Sequence, residues 1–569
     1  MLFSKAKIFF NLTQTLTGVL NKKERNTFVI YILGSVFNTL LEIFSISIIL
    51  FLLFLISGQE VSDSTLFDLF NLIPINKSIS NLSLLMIIII LFKTLFQVTF
   101  TYNQEKFSYN IQTRISSTLF RKYISTSYEK IINKNSADLI RLLSIETIRI
   151  GNLLISPFIS LVNELFLLVF IMLFIFLYDP ILGSFFIFIS GFILYFYSIN
   201  VNSKMKELGK HITQSNSKRI KIINETFSAF DFIKLSNKKE VFIKQFVELT
   251  KEISNSAFKH LFFVKLPKSI FEIIIFLCLF LIITFFNNIN RVDLLLSYLS
   301  IAAVSIYKII PSLIKISASM QSLQYFSSPL IEIVNQLKLQ EELEDNEIKI
   351  KSFGRLLYKD IKFNYDENID LFNDLNFQID KNDFIGIYGP SGSGKSTFVK
   401  LISGLLIFHK GNIILDDTEE IDPKSLRQFF SYVPQETLLL DEDIYTNISL
   451  EFDKNKIDKD RIIDILNQLE FNEKFLKSLN RKLGERGVKI SGGQRQRISI
   501  ARAIYNNKKI LVLDESTSNL DSKAENKILD LLEKLNNKLA IIIISHKDSS
   551  LKKCKKIYEI NNNKISKVK

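Results

Sequence analysis

The chain has 569 residues, 47% of them hydrophobic, with 51 Phe, no Trp and a formal net charge of +14. Its Lys and Arg sit mainly between apolar runs, as on the cytosolic side of a membrane protein, and this distribution argues against a nucleic-acid partner. Two cysteines, Cys278 and Cys554, and four scattered histidines, His211, His260, His409 and His546, exclude a disulfide framework and a His-rich metal centre.

The first residues, MLFSKAKIFFNLTQTLTGVL, lack a long apolar core and a small-residue cleavage site. They predict an amphipathic helix on a membrane surface rather than a signal peptide. Six apolar stretches follow, at about 28–56, 84–104, 152–178, 181–200, 264–286 and 294–325. Each is near the roughly 20 residues that cross a bilayer. A soluble protein would need six long helices that are hydrophobic all round. The loop at 105–150 carries eight Lys/Arg, whereas 57–83, 179–180 and 287–293 carry only Lys77 and Arg291. Basic loops stay in the cytosol, so both termini are expected there. Glu42 and Lys93, inside the first two spans, fall at similar depths and predict an ion pair. In the sixth span Ser305, Lys308, Ser312, Lys315, Ser319 and Ser322 recur at steps of three and four, a polar stripe on one helical face. Pro311 removes one backbone hydrogen bond inside it. Lipid does not tolerate such a stripe, so it is expected to face the interior, with Lys308 and Lys315 as a candidate path for an anionic substrate group.

Near residue 340 the pattern changes. This predicts a helical transmembrane domain over 1–340 and an α/β domain over 341–569, in which the strand-like runs DFIGIYG, FFSYVPQ, KILVLDE and LAIIIISH alternate with helical ones. Between the first of these and the helix-like STFVKLISGLL lies GPSGSGKST, residues 389–397. Gly389, Ser391, Gly392, Gly394, Lys395, Ser396 and Thr397 form a phosphate cradle. Glycines let backbone N–H groups turn inward, Lys395 reaches the terminal phosphates, and Ser396 ligates Mg2+. Asp514, at the end of ILVLDE, is placed to hold Mg2+, and Glu515 to polarise a water. Ser491, Gly492, Gly493 and Gln494, in ISGGQRQR, offer a second phosphate grip at a helix N-terminus. Two grips for one nucleotide make sense if the second closes on a partner chain's ATP.

Together these motifs resemble those of ATP-binding cassette (ABC) transporters, over the whole chain. The resemblance implies that Tyr365 in IKFNYDE stacks on adenine, that Gln435 in SYVPQE ligates Mg2+ and water, and that Ser518–Asp521 (SNLD) contacts a dimer partner. It also implies that His546 is the switch histidine at the γ-phosphate. Ile490 replaces the usual Leu of the signature, Asn519 the usual Ala, and Lys547 stands where Arg is common. One membrane domain followed by one cassette is a half-transporter of exporter or flippase order, so the working unit is a dimer. Every catalytic element is present, which favours a homodimer over a heterodimer. By the same resemblance 117–125 and 224–234 are coupling helices that dock on cassettes. LEIFSISIILF (41–51), FIKLSNKKE (232–240), IYKIIPSLIKISASMQSLQYFSSPL (306–330) and STLFDLFNLIP (64–74), the last as a short external amphipathic helix, resemble PglK-type flippases of lipid-linked oligosaccharides. The implied setting is a bacterial inner membrane and the implied substrate hydrophobic or lipid-linked. Export of a peptide or drug-like solute, and an ATP-gated channel or regulatory ATPase, stay open as alternatives.

Overall fold

A computed structural model describes residues 18–57, 79–178, 180–288, 292–340, 353–365, 370–516, 522–561 and 563–569. The predicted N-terminal surface helix, the 64–74 helix and Ser518–Asp521 lie outside these residues. The chain divides into two units. One holds the chain up to Thr126 and from Ile131 to Glu341; the other holds Ser127–Lys130 and Glu342–Lys569.

The first unit is helical: α1 (Lys22–Ser57), α2 (Ile79–Ile124), α3 (Tyr128–Ile132), α4 (Ser136–Arg141), α5 (Ser156–Tyr178), α6 (Pro180–Ser228), α7 (Phe230–Leu235), α8 (Lys239–Asn288) and α9 (Val292–Leu337). Ser127 and the first three residues of α3, Tyr128–Lys130, group with the other unit. A capping box opens α1, with Asn21 Oδ1 accepting from Glu24 N–H at 2.9 Å and Asn21 N–H donating to Glu24 Oε2 at 3.0 Å. Among the described residues four windows, Lys22–Ser45, Ser83–Ile124, Gly151–Leu177 and Gly183–Ser228, are long and apolar enough to cross a membrane. The helices outrun the predicted spans. α2 has 46 residues, and at about 1.5 Å per residue that is roughly twice the ~30 Å hydrocarbon core. Its second half, with Lys106, Arg114, Arg121 and Lys122, is polar for that reason. α8 runs through Pro267 and α9 through Pro311 and Pro329.

Ile111, Ile115 and Leu119 of α2 pack with Leu154 and Phe158 and with Phe326, Leu330 and Ile333 of α9. A second core joins Ile171 and Ile175 of α5 to Phe271 of α8 and Ile309 and Leu313 of α9. At Gly209 a Cβ would stand 1.9 Å from the Tyr325 carbonyl oxygen, so α6 and α9 cross where only glycine fits. Buried Arg141 donates to Glu332 of α9 at 2.6 Å and to buried Glu146 at 3.4 Å.

The second unit contains β1 (Arg355–Asn364), β2 (Asp370–Asp380), β3 (Phe384–Tyr388), α10 (Lys395–Ile402), β4 (Lys410–Leu415), β5 (Glu419–Glu420), β6 (Phe430–Val433), α11 (Gly492–Tyr505), β7 (Ile510–Asp514), α12 (Ser522–Leu535), β8 (Ala540–Ile544), β9 (Lys556–Asn561) and β10 (Lys564–Lys567), with short helices between β6 and α11. The main sheet has the order β10-β9-β3-β8-β7-β6, parallel from β9 to β6. A smaller antiparallel sheet, β2-β1-β4-β5, was not read from the sequence. The all-apolar strands are buried on both faces, as parallel strands are. Ile385, Ile387, Val512, Ile542 and Ile544 face Phe398 of α10. The alternate residues Phe384, Leu511, Leu513, Ile541 and Ile543 share a core with Ile498 of α11. Period-two alternation therefore puts the phosphate-loop helix and the ISGGQ helix on opposite faces of one sheet.

Candidate functional site

Ligands in open parallel sheets bind beyond the carboxyl ends of the strands. Each predicted catalytic side chain follows such an end: Gly389 to Lys395 after β3, His546 after β8, Asp514 and Glu515 at β7, Gln435 after β6. Because these four strands are neighbours, residues up to about 150 positions apart in sequence meet in one row.

Glu515 is the hub of that row. Its Oε2 accepts from Gln435 Nε2 at 2.7 Å and its Oε1 lies 3.1 Å from His546 Nε2. Its φ of +47° is a left-handed backbone that a side-chain-bearing residue rarely adopts, and such strain gathers at functional sites. The Glu515 N–H donates to the Ile544 carbonyl at 3.1 Å, tying β7 to β8 at this corner. Asp514 is buried and accepts from the Tyr432 hydroxyl at 3.0 Å and from Ser396. Burial pushes its carboxyl above the usual aspartate range. Tyr432 is a partner that sequence reasoning missed; its only signal was alternation within FFSYVPQ.

In the phosphate loop Gly392 and Gly394 adopt φ of +81° and +92°. Buried Lys395 donates to the carbonyls of Gly389 and Pro390 at 2.8 and 2.9 Å, and burial lowers its pKa. Thr397 lies 3.1 Å from the hydroxyl of Tyr365, whose exposed ring stands edge-on to Phe363 at 5.0 Å. The loop carries unmet capacity: the buried Ser393 hydroxyl has no partner among the described residues. Ser396, Gln435 and Asp514 together present a hydroxyl, an amide oxygen and a carboxylate, a hard-oxygen set suited to Mg2+. The cradle and these oxygens fit a nucleotide and its ion.

Ser491 caps α11. Its Oγ accepts from Gln494 N–H at 3.2 Å, and its N–H donates to Gln494 Oε1 at 3.0 Å, with Gly492 and Gly493 in the first turn. These hydrogen bonds are mutual, and Ser491 is exposed at the helix N-terminus.

Both stretches expected to be coupling helices are helical over most of their length. Residues 117–124 continue α2 as straight helix, because no breaker precedes Ser125–Ser127. It is Ser127–Lys130 that belong with the cassette. Glu129 Oε1 accepts from Ile407 N–H at 3.3 Å, and Lys400 Nζ of α10 lies 5.6 Å over the Tyr128 ring. The second stretch spans the end of α6 and α7, with Phe227, Phe230, Phe232 and Leu235 exposed.

In the membrane unit Glu42 pairs with Lys93 at 2.5 Å, as its depth suggested, and also with Lys308. Lys315 pairs with Glu164 at 2.7 Å, and Ser312 donates to the same carboxylate at 2.8 Å. The stripe on α9 thus meets acids from α1 and α5. Glu164 was not singled out in the sequence; a lone acid in SLVNELFLL was the available signal. Ser305, at the head of the stripe, has no described side chain.

The family model described as ABC transporter transmembrane region matches residues 28–315, just over half of the chain, and the ABC transporter model matches 372–518. The chain belongs to the ABC transporter family. It carries the family's transmembrane region and its ATP-binding domain, and is an integral membrane protein. Similar proteins include a putative export ATP-binding/permease protein of Rickettsia typhi, 38% identical over 215 residues (37% of each chain). An ATP-dependent lipid A-core flippase of Francisella novicida is 33% identical over 269 residues (46% of this chain, 45% of the relative). An alpha-hemolysin translocation ATP-binding protein of Escherichia coli O157:H7 is 38% identical over 220 residues (37% and 31%). The alignments thus span less than half of these relatives. A bacterial Atm1-family ABC exporter solved with ATP bound has the same fold, with a TM-score of 0.77 at 16% identity over 96% of this chain and 94% of that one.

Proposed function

We propose that this ABC transporter is a half-transporter that works as a homodimer and drives export or flipping of a lipid by hydrolysing ATP, with Mg2+ as the ion. The observation that carries the reading is the Glu515 carboxylate held between Gln435 and His546 at the end of β7, beside a complete phosphate loop.

The roles follow from geometry. Backbone N–H groups of Gly392 to Ser396 cradle phosphates. Lys395 trades the carbonyls of Gly389 and Pro390 for phosphate oxygens, a gain because both partners of the new pair are charged. Ser396, Asp514 and Gln435 hold the ion, which when bound neutralises charge on the phosphates. Glu515 accepts the proton of the attacking water, and Gln435 and His546 keep its two oxygens aimed. Tyr365 offers a free ring face to adenine, beside Thr397. Ser491, Gly492, Gly493 and Gln494 point a helix N-terminus outward, where a second copy's nucleotide closes the site.

The substrate reading rests on the α9 stripe. Lys308 and Lys315, two turns apart or about 10.5 Å, lie along a polar seam in an otherwise apolar span. That chemistry suits a lipid with an anionic headgroup, a lipid-linked oligosaccharide among them, taken up at the inner leaflet of a bacterial inner membrane. The named activities of the flippase and toxin-translocation relatives bracket this reading without deciding it. The test is reconstitution in proteoliposomes with a panel of lipid-linked sugars and plain anionic lipids, scoring ATP-dependent appearance of headgroup on the far side. ATP-gated current with no vectorial movement would replace the pump by a channel.

A further inference from the structure

The polar seam is unevenly charged. Glu42 of α1 lies between two ammonium groups, with Lys93 of α2 on Oε2 at 2.5 Å and Lys308 of α9 on Oε1. Lys315 and Glu164 pair one to one. Three lysines against two glutamates leave one positive charge per protomer. The Glu42, Lys93 and Lys308 side chains are only 11, 14 and 24% exposed, and a net charge in such a place is expensive unless an anion visits it. Each ammonium has three donors and gives one to Glu42, so both lysines keep donors for a second anion. One turn along α1, buried Asn38 carries an Oδ1 with no hydrogen-bond partner among the described residues, an acceptor for a headgroup hydroxyl.

We propose that Glu42 sets the charge selectivity of this seam, tuning it to a lipid headgroup with a single negative charge, a phosphodiester, over a doubly charged phosphate monoester or pyrophosphate. This rests on the reading of the seam as the substrate path. A monoanion on the spare donors of Lys93 and Lys308 brings the cluster to neutrality. A dianion overshoots and lies beside the Glu42 carboxylate, where like charges repel. Glu42 is therefore a built-in counter-ion that withholds one of the two lysine charges from the substrate.

The test counts charges. The full chain in phosphatidylcholine nanodiscs is titrated at pH 8 with farnesyl phosphate, doubly charged there because its second pKa is about 6, and with its singly charged monomethyl ester. The readout is the ratio of half-maximal concentrations for ATPase stimulation. The wild type should favour the ester by on the order of tenfold. Glu42→Gln exposes both lysine charges and should shift the ratio by on the order of tenfold toward the phosphate. Glu42→Gln with Lys93→Gln restores a single net charge and should return the wild-type ratio. Lys93→Gln alone leaves Glu42 and Lys308 neutralised and should lose the response to both lipids. An unchanged ratio in Glu42→Gln, with the response lost in Lys93→Gln, overturns the role of Glu42 and leaves the path standing. An unaltered response in both Lys93→Gln and Lys308→Gln, or no wild-type response to either lipid, rejects the path itself and the proposal with it. If Glu42→Gln fails to assemble, the double variant and Lys93→Gln decide: loss of response in the former, or retention in the latter, overturns the proposal.

Discussion

Substituting Glu515 by Gln removes a charge and a proton acceptor while leaving a side chain of the same size. The Gln435 and His546 contacts, at 2.7 and 3.1 Å, both end on this one carboxylate. A positioned general base contributes about 10²–10⁴ in rate, or roughly 2.7–5.4 kcal/mol of barrier at about 1.36 kcal/mol per decade. Steady-state phosphate release from the full chain in nanodiscs should fall by that factor in Glu515→Gln. Equilibrium binding of ATP should persist, because Lys395, Ser396 and the loop glycines are untouched. The geometry makes a second, sharper demand. A hydrogen bond to a charged group is worth about 1.5–3 kcal/mol, so Gln435→Ala should cost roughly 10–150-fold in the wild type. In the Glu515→Gln background the part of that cost that comes from aiming the carboxylate should disappear, and only the loss of an ion ligand should remain. Additive losses in that double-mutant cycle would show that Gln435 acts independently of Glu515. Turnover of Glu515→Gln within a few-fold of wild type would refute the assignment of the base altogether.

Tyr365→Ala should raise the KM for ATP by roughly 2–12-fold, the worth of about 0.5–1.5 kcal/mol of stacking, with kcat held; a fall in kcat at constant KM would contradict an adenine-binding role. Burial depresses His260 to about 4, and its ring stacks on Tyr325 at 4.1 Å between centroids. The unfolded chain protonates this group near 6.5 while the folded one stays neutral, so the unfolded state binds more protons between pH 6.5 and about 4 and stability falls as pH drops through that window. His260→Phe keeps the stack and should flatten the melting temperature over that range; an unchanged slope would assign the acid sensitivity elsewhere. Tyr128→Ala should lower substrate-stimulated ATPase while leaving ATP affinity near wild type, read by titrating stimulation against nucleotide binding, and an intact stimulation would show that this contact carries nothing.

The legible parts of the chain were those where local pattern and chemistry coincide. GPSGSGKST between an apolar strand and a helix left little freedom, because only glycines reach the φ of +81° and +92° that turn N–H groups inward. Runs such as AIIII read as strands because both faces of a central parallel strand are buried. The antiparallel sheet stayed hidden. Its strands, RLLYKDIKFN and DLFNDLNFQID, are amphipathic, interrupted by charge, and pair with register shifts at Tyr358, Ile361 and Phe363. That Ser127–Lys130 group with the cassette was not read from the sequence, because α2 shows no composition change at Ile124; the break is made by Ser125, Thr126 and Ser127, which are weak signals. The pairing of Glu42 with Lys93 followed from depth alone. Its sharing with Lys308, and the neutralising of Lys315 by Glu164, required packing that no periodicity encodes.

The contacts of Ser127–Lys130 bear on how the nucleotide site is sensed. Tyr128 lies under Lys400, five residues along α10 from Lys395, so the helix that begins at the phosphate loop passes this ring in its last turn. Tyr128 and Tyr432 both pack against the core that holds Phe398, and the Tyr432 hydroxyl donates to Asp514. One aromatic side chain thus borders two elements of the proposed site, the phosphate-loop helix that carries Lys395 and the core beside Tyr432 and Asp514. A rigid eight-residue helix transmits displacement with little loss, whereas the Tyr432 hydroxyl orients a single carboxylate. The first is suited to moving the cradle as a body, and the second to adjusting whether Asp514 is aimed at the ion. A segment drawn from the helical half of the sequence is thus built into the cassette at the point where both can be addressed together.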